Sequence, residues 1–180
     1  MDKKREKEIL KIIEKAGDTD NYETSYDEHG VPKGIKSKKK ISTGKKSRAQ
    51  GASFELRVRK DMESKGRIVD KWTNNVDLEA GKIVGAKRKF NPYSRIMSIG
   101  TGFPDFISIK NISGDNYSVI GVEVKINGTL SKEEKEKCAW YLQNKIFSEI
   151  WVAYKEKEGN RVEVKYYDFK EKYGDKYNKA

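Results

Sequence analysis

Apolar positions along the chain fall into short runs whose spacing changes from segment to segment. In REKEILKIIEKA, residues 5–16, apolar side chains stand at 9, 10, 12, 13 and 16. Steps of three and four residues predict an amphipathic helix ending at Gly17. A polar, acidic stretch of turn formers follows. KGIKSKKKISTGKKSR then runs from Lys33 to Arg48 with eight basic residues and no acidic one. Interleaved glycine and serine predict a flexible arm there. ASFELRVRKDMESKG restores a helical period, with Phe54, Val58 and Met62 on one stripe and Leu56 off it. The expected helix runs from Ser53 to Ser64 and is capped by Gly66.

RIVDKW, residues 67–72, reads as a short strand. Residues 73–100 keep no clean period and are expected to form a long insertion with one short hairpin. FPDFISIK and YSVIGVEVK read as strands around NISGDN, a turn by composition. TLSKEEKEKCAWYLQNKI follows as a helix. Ser131 and Glu134 form its capping box, and Cys138, Tyr141, Leu142 and Ile146 are its core-facing positions. EIWVAYK and RVEVKYYDF are the last strands, and the charged tail beyond them is expected to fray. From Gly51 the order is α, β, β, β, α, β, β, which fits an α/β fold with a mixed sheet flanked by helices. The expected organisation is a helix over 1–17, a flexible acidic then basic linker over 18–50, the α/β domain over 51–170, and a tail over 171–180.

Composition adds constraints. The chain has 180 residues, 35% apolar and 37% charged. That balance suits a core of about 120 to 130 residues plus a poorly buried segment. A net charge of +11 predicts attraction to polyanions such as DNA, RNA or an acidic membrane surface. A single cysteine, Cys138, and a single histidine, His29, exclude an intrachain disulfide, a cysteine-based zinc site and a histidine cluster. No apolar run approaches the ~20 residues that cross a bilayer, and the charged N-terminal stretch does not read as a signal peptide. The expectation is an intracellular protein, cytoplasmic or nucleoid-associated.

The residues with the most chemical content lie between 101 and 125. Along YSVIGVEVK, Val122 and Val124 point to one face of a strand and Glu123 and Lys125 to the other. The last two stand roughly 6.6 Å apart along the backbone. An acid and a base on an otherwise apolar strand need a reason, because unpaired buried charge is costly. Residues 105 and 123 are symmetric about the turn, so Asp105 and Glu123 are placed to face each other across the ladder. Two carboxylates that close repel unless positive charge lies between them, and a divalent cation supplies it.

Pro104-Asp105 followed by Glu123-Val124-Lys125 resembles the signature of the PD-(D/E)XK nuclease superfamily. More narrowly, the chain is similar to archaeal Holliday junction resolvases and virus-type replication-repair nucleases. The likeness covers residues 48–154: a glycine-initiated helix with Glu55, then GFPD, then GVEVK, then LSKEEKEK. It implies a restriction-endonuclease-like fold and a Mg²⁺-dependent DNA endonuclease, with Mn²⁺ able to substitute. It assigns metal binding to Asp105, Glu123 and the Val124 carbonyl, and catalytic roles to Asp105, Glu123, Lys125 and Glu55. It implies branched DNA as substrate and a homodimer, since two symmetric cuts need two sites. Lys132 matches a lysine of the helix after the signature, whereas Glu133 or Glu134 replaces a glutamine.

Candidate phosphate contacts are Lys38, Lys39, Lys40, Lys45, Lys46 and Arg48 in the basic arm, Lys87, Arg88, Lys89 and Arg95 in the insertion, and Lys132. Glu163-Val164-Lys165 repeats the signature tripeptide without a Pro-Asp hairpin and reads as an exposed edge strand. Two other functions fit the charge: a non-catalytic nucleic-acid-binding protein, and a nuclease of the same fold acting on RNA, flap, single-stranded or sequence-specific duplex substrates.

Overall fold

The computed structural model describes residues 3–86, 88–91, 96–99, 102–159 and 161–177. The chain divides into two compact units, residues 1–52 and 53–180.

In the first unit, helix α1 (Lys3–Gly17) precedes an antiparallel hairpin of β1 (Tyr22–Tyr26) and β2 (Pro32–Ser37). The Asp27 carboxylate accepts from the amides of His29 and Val31, and Gly30 takes a φ of 75°, so the turn has the chemistry its sequence offers. Helix α2 (Lys38–Ser64) starts directly after β2, and the Lys38 amide donates to the Asn21 carbonyl. The expected flexible linker is therefore ordered: residues 22–37 form the hairpin, and the basic arm is divided between β2 and the first half of α2. The apolar stripe of α1 does not become a core, for Ile9, Leu10, Ile12 and Ile13 all stay exposed.

The second unit is a mixed α/β structure around a five-stranded sheet. Its strands are β3 (Ile68–Lys71), β8 (Phe106–Ser113), β9 (Asn116–Val124), β10 (Glu149–Glu158) and β11 (Arg161–Asp168), in the order β11-β10-β9-β8-β3. β9 and β10 run parallel, and every other neighbouring pair is antiparallel. Between β3 and β8 lie two short hairpins, β4 (Asn74–Asp77) with β5 (Lys82–Gly85) and β6 (Arg88–Asn91) with β7 (Ile96–Ile99), where one was expected.

Each sheet face carries its own core. The second half of α2 buries Phe54, Val58 and Met62 against Val69, Phe106, Ile120, Val122 and Ala153. Leu56, off the stripe, stays 53% exposed. Each buried side chain of that stripe contributes about 1.5–3 kcal/mol of apolar burial. On the opposite face, α3 (Lys132–Gln143) and α4 (Phe169–Tyr177) bring Cys138, Tyr141 and Phe169 onto Ile150, Val152 and Phe147. Residues 171–177 of the tail expected to fray belong to α4, where Phe169 and Tyr173 pack in the core cluster, and 178–180 lie outside the described residues. Ser131 caps α3 with the reciprocal Glu134 bonds of a capping box. Among the described residues no helix is long and apolar enough to cross a membrane.

Candidate functional site

GFPD is built to hold one segment tightly against β3 and β9. A Cβ on Gly102 would lie 2.0 Å from the Trp72 carbonyl and 2.6 Å from that of Asn74, so only glycine fits. The Phe103 amide donates to the Asn74 carbonyl, and the Trp72 amide to the Asp105 carbonyl. Gly121 is needed for a similar reason, since a Cβ there would meet the Pro104 ring at 2.8 Å. These close approaches fix where β8 begins and therefore where Asp105 stands.

Register completes the placement. Phe106 pairs with Val122, so Asp105 sits at the level of Glu123. The Asp105 amide donates to Glu123 Oε2 at 3.2 Å, and the Val124 amide donates to Asp105 Oδ2 at 2.9 Å. Two carboxyl groups from neighbouring central strands therefore share one small region.

The proline of the Pro-Asp pair has a consequence at Val124. The Lys125 amide bonds Ala153 on β10, so by strand alternation the amide and carbonyl of Val124 face β8. Pro104 has no N–H to donate to β9, and the paired register ends at Phe106 and Val122. Past that end the Val124 amide donates to the Asp105 side chain.

Glu123 is only 4% exposed, and Lys125 Nζ lies 3.0 Å from its Oε1. Lys125 also donates to Glu134 Oε1 at 2.6 Å. The second Glu134 oxygen accepts from the Ser131 amide at 2.7 Å, so one carboxylate caps α3 and holds the lysine. From the α2 side, Glu55 Oε2 lies 2.5 Å from Lys71 Nζ at the end of β3. Cys138 is buried on α3, and its thiol is pushed up by burial and then by the charges of Glu123 and Glu134.

The electrostatics express a shortage of positive charge. Burial, then the neighbouring Asp105, push the Glu123 carboxyl up to about 8, and Lys125 offsets only part of this. Asp105 is raised as well, by burial first and also by Glu55, against the lowering hydrogen bond from Val124. Burial disfavours the Lys125 ammonium, but Glu123 and Glu134 outweigh it and raise its pKa. Burial acts to raise Glu134 too, yet hydrogen bonds from Lys125 and Ser131 prevail and lower it. A proton or an added cation would relieve the Asp105–Glu123 pair.

Of the sequence candidates, Asp105, Glu123, Val124 and Lys125 converge. Glu55 reaches the same neighbourhood through its electrostatic effect on Asp105, while ion-paired to Lys71. Lys132 does not join them: its side chain is 87% exposed and its nearest acid is Glu136 at 3.8 Å. Lys38, Lys39, Lys40, Lys45, Lys46 and Arg48 belong to the first unit. Arg88 and Lys89 lie on β6, opposite Ile99 and Ser98, whereas Lys87 and Arg95 fall outside the described residues.

Two residues enter that the sequence reading left aside or unresolved. Lys71 was hidden in RIVDKW, where only the pairing of β3 on β8 shows which residues stand near Asp105. Glu134 was visible as a cap and as one of two replacements for a glutamine, and the Lys125 contact selects it.

Among the described residues no group of three His, Cys, Asp or Glu side chains is placed to hold a metal unaided. The available oxygens are two carboxyls and one backbone carbonyl, a set that suits a hard cation keeping several waters. The chain matches no protein-family model, no curated protein and no solved structure.

Proposed function

We propose that this protein is a Mg²⁺-dependent DNA endonuclease of PD-(D/E)XK type, selective for branched DNA and acting as a homodimer. The observation that carries the reading is the meeting of Asp105 and the buried Glu123, with the Val124 amide bonded to Asp105. Buried acids with raised pKa values are otherwise a standing cost, and an enzyme that concentrates a cation there has a use for them. Further support comes from the order of elements in the second unit: helix, strand, Pro-Asp hairpin, helix, parallel strand. The net charge of +11 supports a polyanionic substrate.

Asp105, Glu123 and the Val124 carbonyl would hold Mg²⁺ or Mn²⁺. When bound, such an ion supplies a Lewis acid and a water of lowered pKa for phosphodiester hydrolysis. The remaining work falls to the chain. Lys125, kept cationic by Glu123 and Glu134, provides fixed positive charge for the phosphate oxygens as negative charge develops on them. Its raised pKa suits that role and opposes service as a proton acceptor. Glu134 fixes the direction of the ammonium by anchoring it to the α3 cap. Lys71 neutralises Glu55 and limits the negative charge facing incoming phosphate.

The test is a cleavage panel of duplex, single-stranded, flap and four-way-junction DNA, with matched RNA, in Mg²⁺, Mn²⁺ and chelator. Metal-dependent cutting that is strongest on the junction is expected. Cutting strongest on flap or single strand would keep the nuclease and reject junction selectivity. Tight binding with no cutting in either metal would leave a nucleic-acid-binding protein and sink the proposal.

A further inference from the structure

The first unit contains a groove that the catalytic reading does not use. It lies between α1, the β1–β2 hairpin and the first half of α2, and encloses about 1090 Å³. Six cations line it: Lys11, Lys15, Lys36, Lys40, Lys45 and Arg48. The one carboxylate in the lining, Glu23, stands opposite Lys36 in the hairpin register. Among the described residues none of the six cations takes part in an ion pair. Between them the surface is apolar, from Ile12, Ile35 and Ile41, with the ring of Tyr22 under Lys15 Nζ at 5.8 Å from its centroid.

Folding of the basic arm into a helix sorts its cations. Lys40, Gly44 and Arg48 follow one another at four-residue steps and face the groove together with Lys45. At 1.5 Å per residue, Lys40 to Arg48 spans roughly 12 Å. Lys38 and Lys39 instead line a separate recess with Asp18 and Asp20. Lys46 lines neither, so Lys38, Lys39 and Lys46 stand outside the groove lining. Gly44 keeps the middle open, since a Cβ there would meet nothing within 4 Å.

We propose that this groove binds a single-stranded segment of nucleic acid, its phosphates on the six cations and its bases on the apolar and tyrosine surface. Unmatched positive charge on the walls of a trough with an aromatic between them is the chemistry of a sequence-tolerant single-strand channel. A flat anionic membrane would meet the rim cations but could not enter the trough. An acidic peptide would satisfy the lysines and leave the apolar surface without a planar partner. The proposal goes beyond the nuclease reading and stands without it.

The experiment uses the full-length protein in chelator, where cleavage is silent, so a failure of either reading leaves the other intact. Binding of a fluorescently labelled single-stranded oligonucleotide, its blunt duplex and phosphatidylserine vesicles is measured across salt. The triple substitution Lys40→Ala, Lys45→Ala and Arg48→Ala is expected to weaken single-strand binding roughly tenfold and to lower the log–log salt slope by about 2. Lys38→Ala, Lys39→Ala and Lys46→Ala together remove the same charge from the same helix and should cost less than about threefold. Gly44→Leu leaves the charge unchanged, replaces a helix-weakening residue and fills the groove, so it should also weaken binding severalfold while the protein stays folded. That variant decides the matter if the triple substitution fails to fold. Equal losses from the two triples, no effect of Gly44→Leu, duplex bound more tightly than single strand, or vesicles bound through the groove cations in place of the oligonucleotide would each overturn the proposal.

Discussion

Glu123-Val124-Lys125 and Glu163-Val164-Lys165 are the same tripeptide on two strands of one sheet. In both, the lysine reaches back to the glutamate two residues before it, at 3.0 Å in the first and 2.9 Å in the second. Local sequence therefore produces the same local ion pair twice. Position in the sheet separates them. β9 has a neighbour on each side, whereas β11 is an edge strand. The glutamate side chain is 5% exposed at position 123 and 41% exposed at 163. Water solvates Glu163. Glu123 has lost that water and faces Asp105, so the same two residues become an electrostatic problem that a cation would solve.

The largest effect that tests this contrast is on catalysis. Under the nuclease reading, Asp105→Asn and Glu123→Gln each lower single-turnover cleavage in Mg²⁺ by roughly 10²–10³-fold or more, with DNA binding retained. Glu163→Gln leaves the rate within about twofold, as a solvated surface substitution should. Equal losses at 123 and 163 would show that the tripeptide acts through net charge and not through its site.

Next comes stability against pH, which needs no substrate. The folded pKa of Glu123 is about 8, above the 4.5 of the free side chain. Between those values the folded state binds more protons than the unfolded state, so stability falls as pH rises. Denaturant titrations in chelator from about pH 5 to pH 8 should lose on the order of a few kcal/mol. Glu123→Gln should flatten that slope, and Glu163→Gln should keep it. Mg²⁺ should restore stability at the alkaline end, where the proton no longer occupies the pair. A wild-type profile that is level or rises over this range would mean that Glu123 is ionised and already satisfied in the free protein.

How much of this could be read from sequence follows from how local each feature is. The Asp105–Glu123 register depends on one short turn, and counting outward from it places the pair correctly. The Phe54, Val58 and Met62 stripe depends on one helical period, and those three are buried. The capping box is four residues long and forms as read. The basic arm was illegible because a run of lysines with glycine and serine has no apolar face. Its helicity rests on continuity with residues 53–64, which is not a local property. The Glu55–Lys71 pair joins residues sixteen apart and requires the β3–β8 pairing to be known first. α1 errs in the other direction, since a good stripe is necessary for burial but does not supply a partner.

The geometry at Glu134 accounts for an acid where the nucleases that the signature resembles carry glutamine. Its two oxygens accept from different donors, Lys125 Nζ and the Ser131 amide. A glutamine has one acceptor oxygen, and its NH₂ cannot accept from either donor. Glu134→Gln must therefore give up the cap or the lysine. The expected cost is about 1 kcal/mol in stability if the cap is lost. If the lysine is released, cleavage falls with stability nearly unchanged. No loss in either would remove Glu134 from the site.

The smallest effect is the most direct control on that contrast. A double-mutant cycle with Glu163→Gln and Lys165→Met should give a coupling of about 0.2–1 kcal/mol that shrinks in high salt, because both partners are solvated and screened. The same cycle on Glu123 and Lys125 should give a larger coupling that salt barely changes, because water and ions are excluded from Glu123. The distances in the two pairs are nearly equal, so distance cannot account for a difference between the cycles. Glu163 also faces an acid across its ladder, Glu156, which lies 3.9 Å from Lys165, so burial is what remains. Matching couplings with matching salt dependence would mean that the inner pair is as wet as the outer one. The site would then have no unmet charge with which to draw a cation.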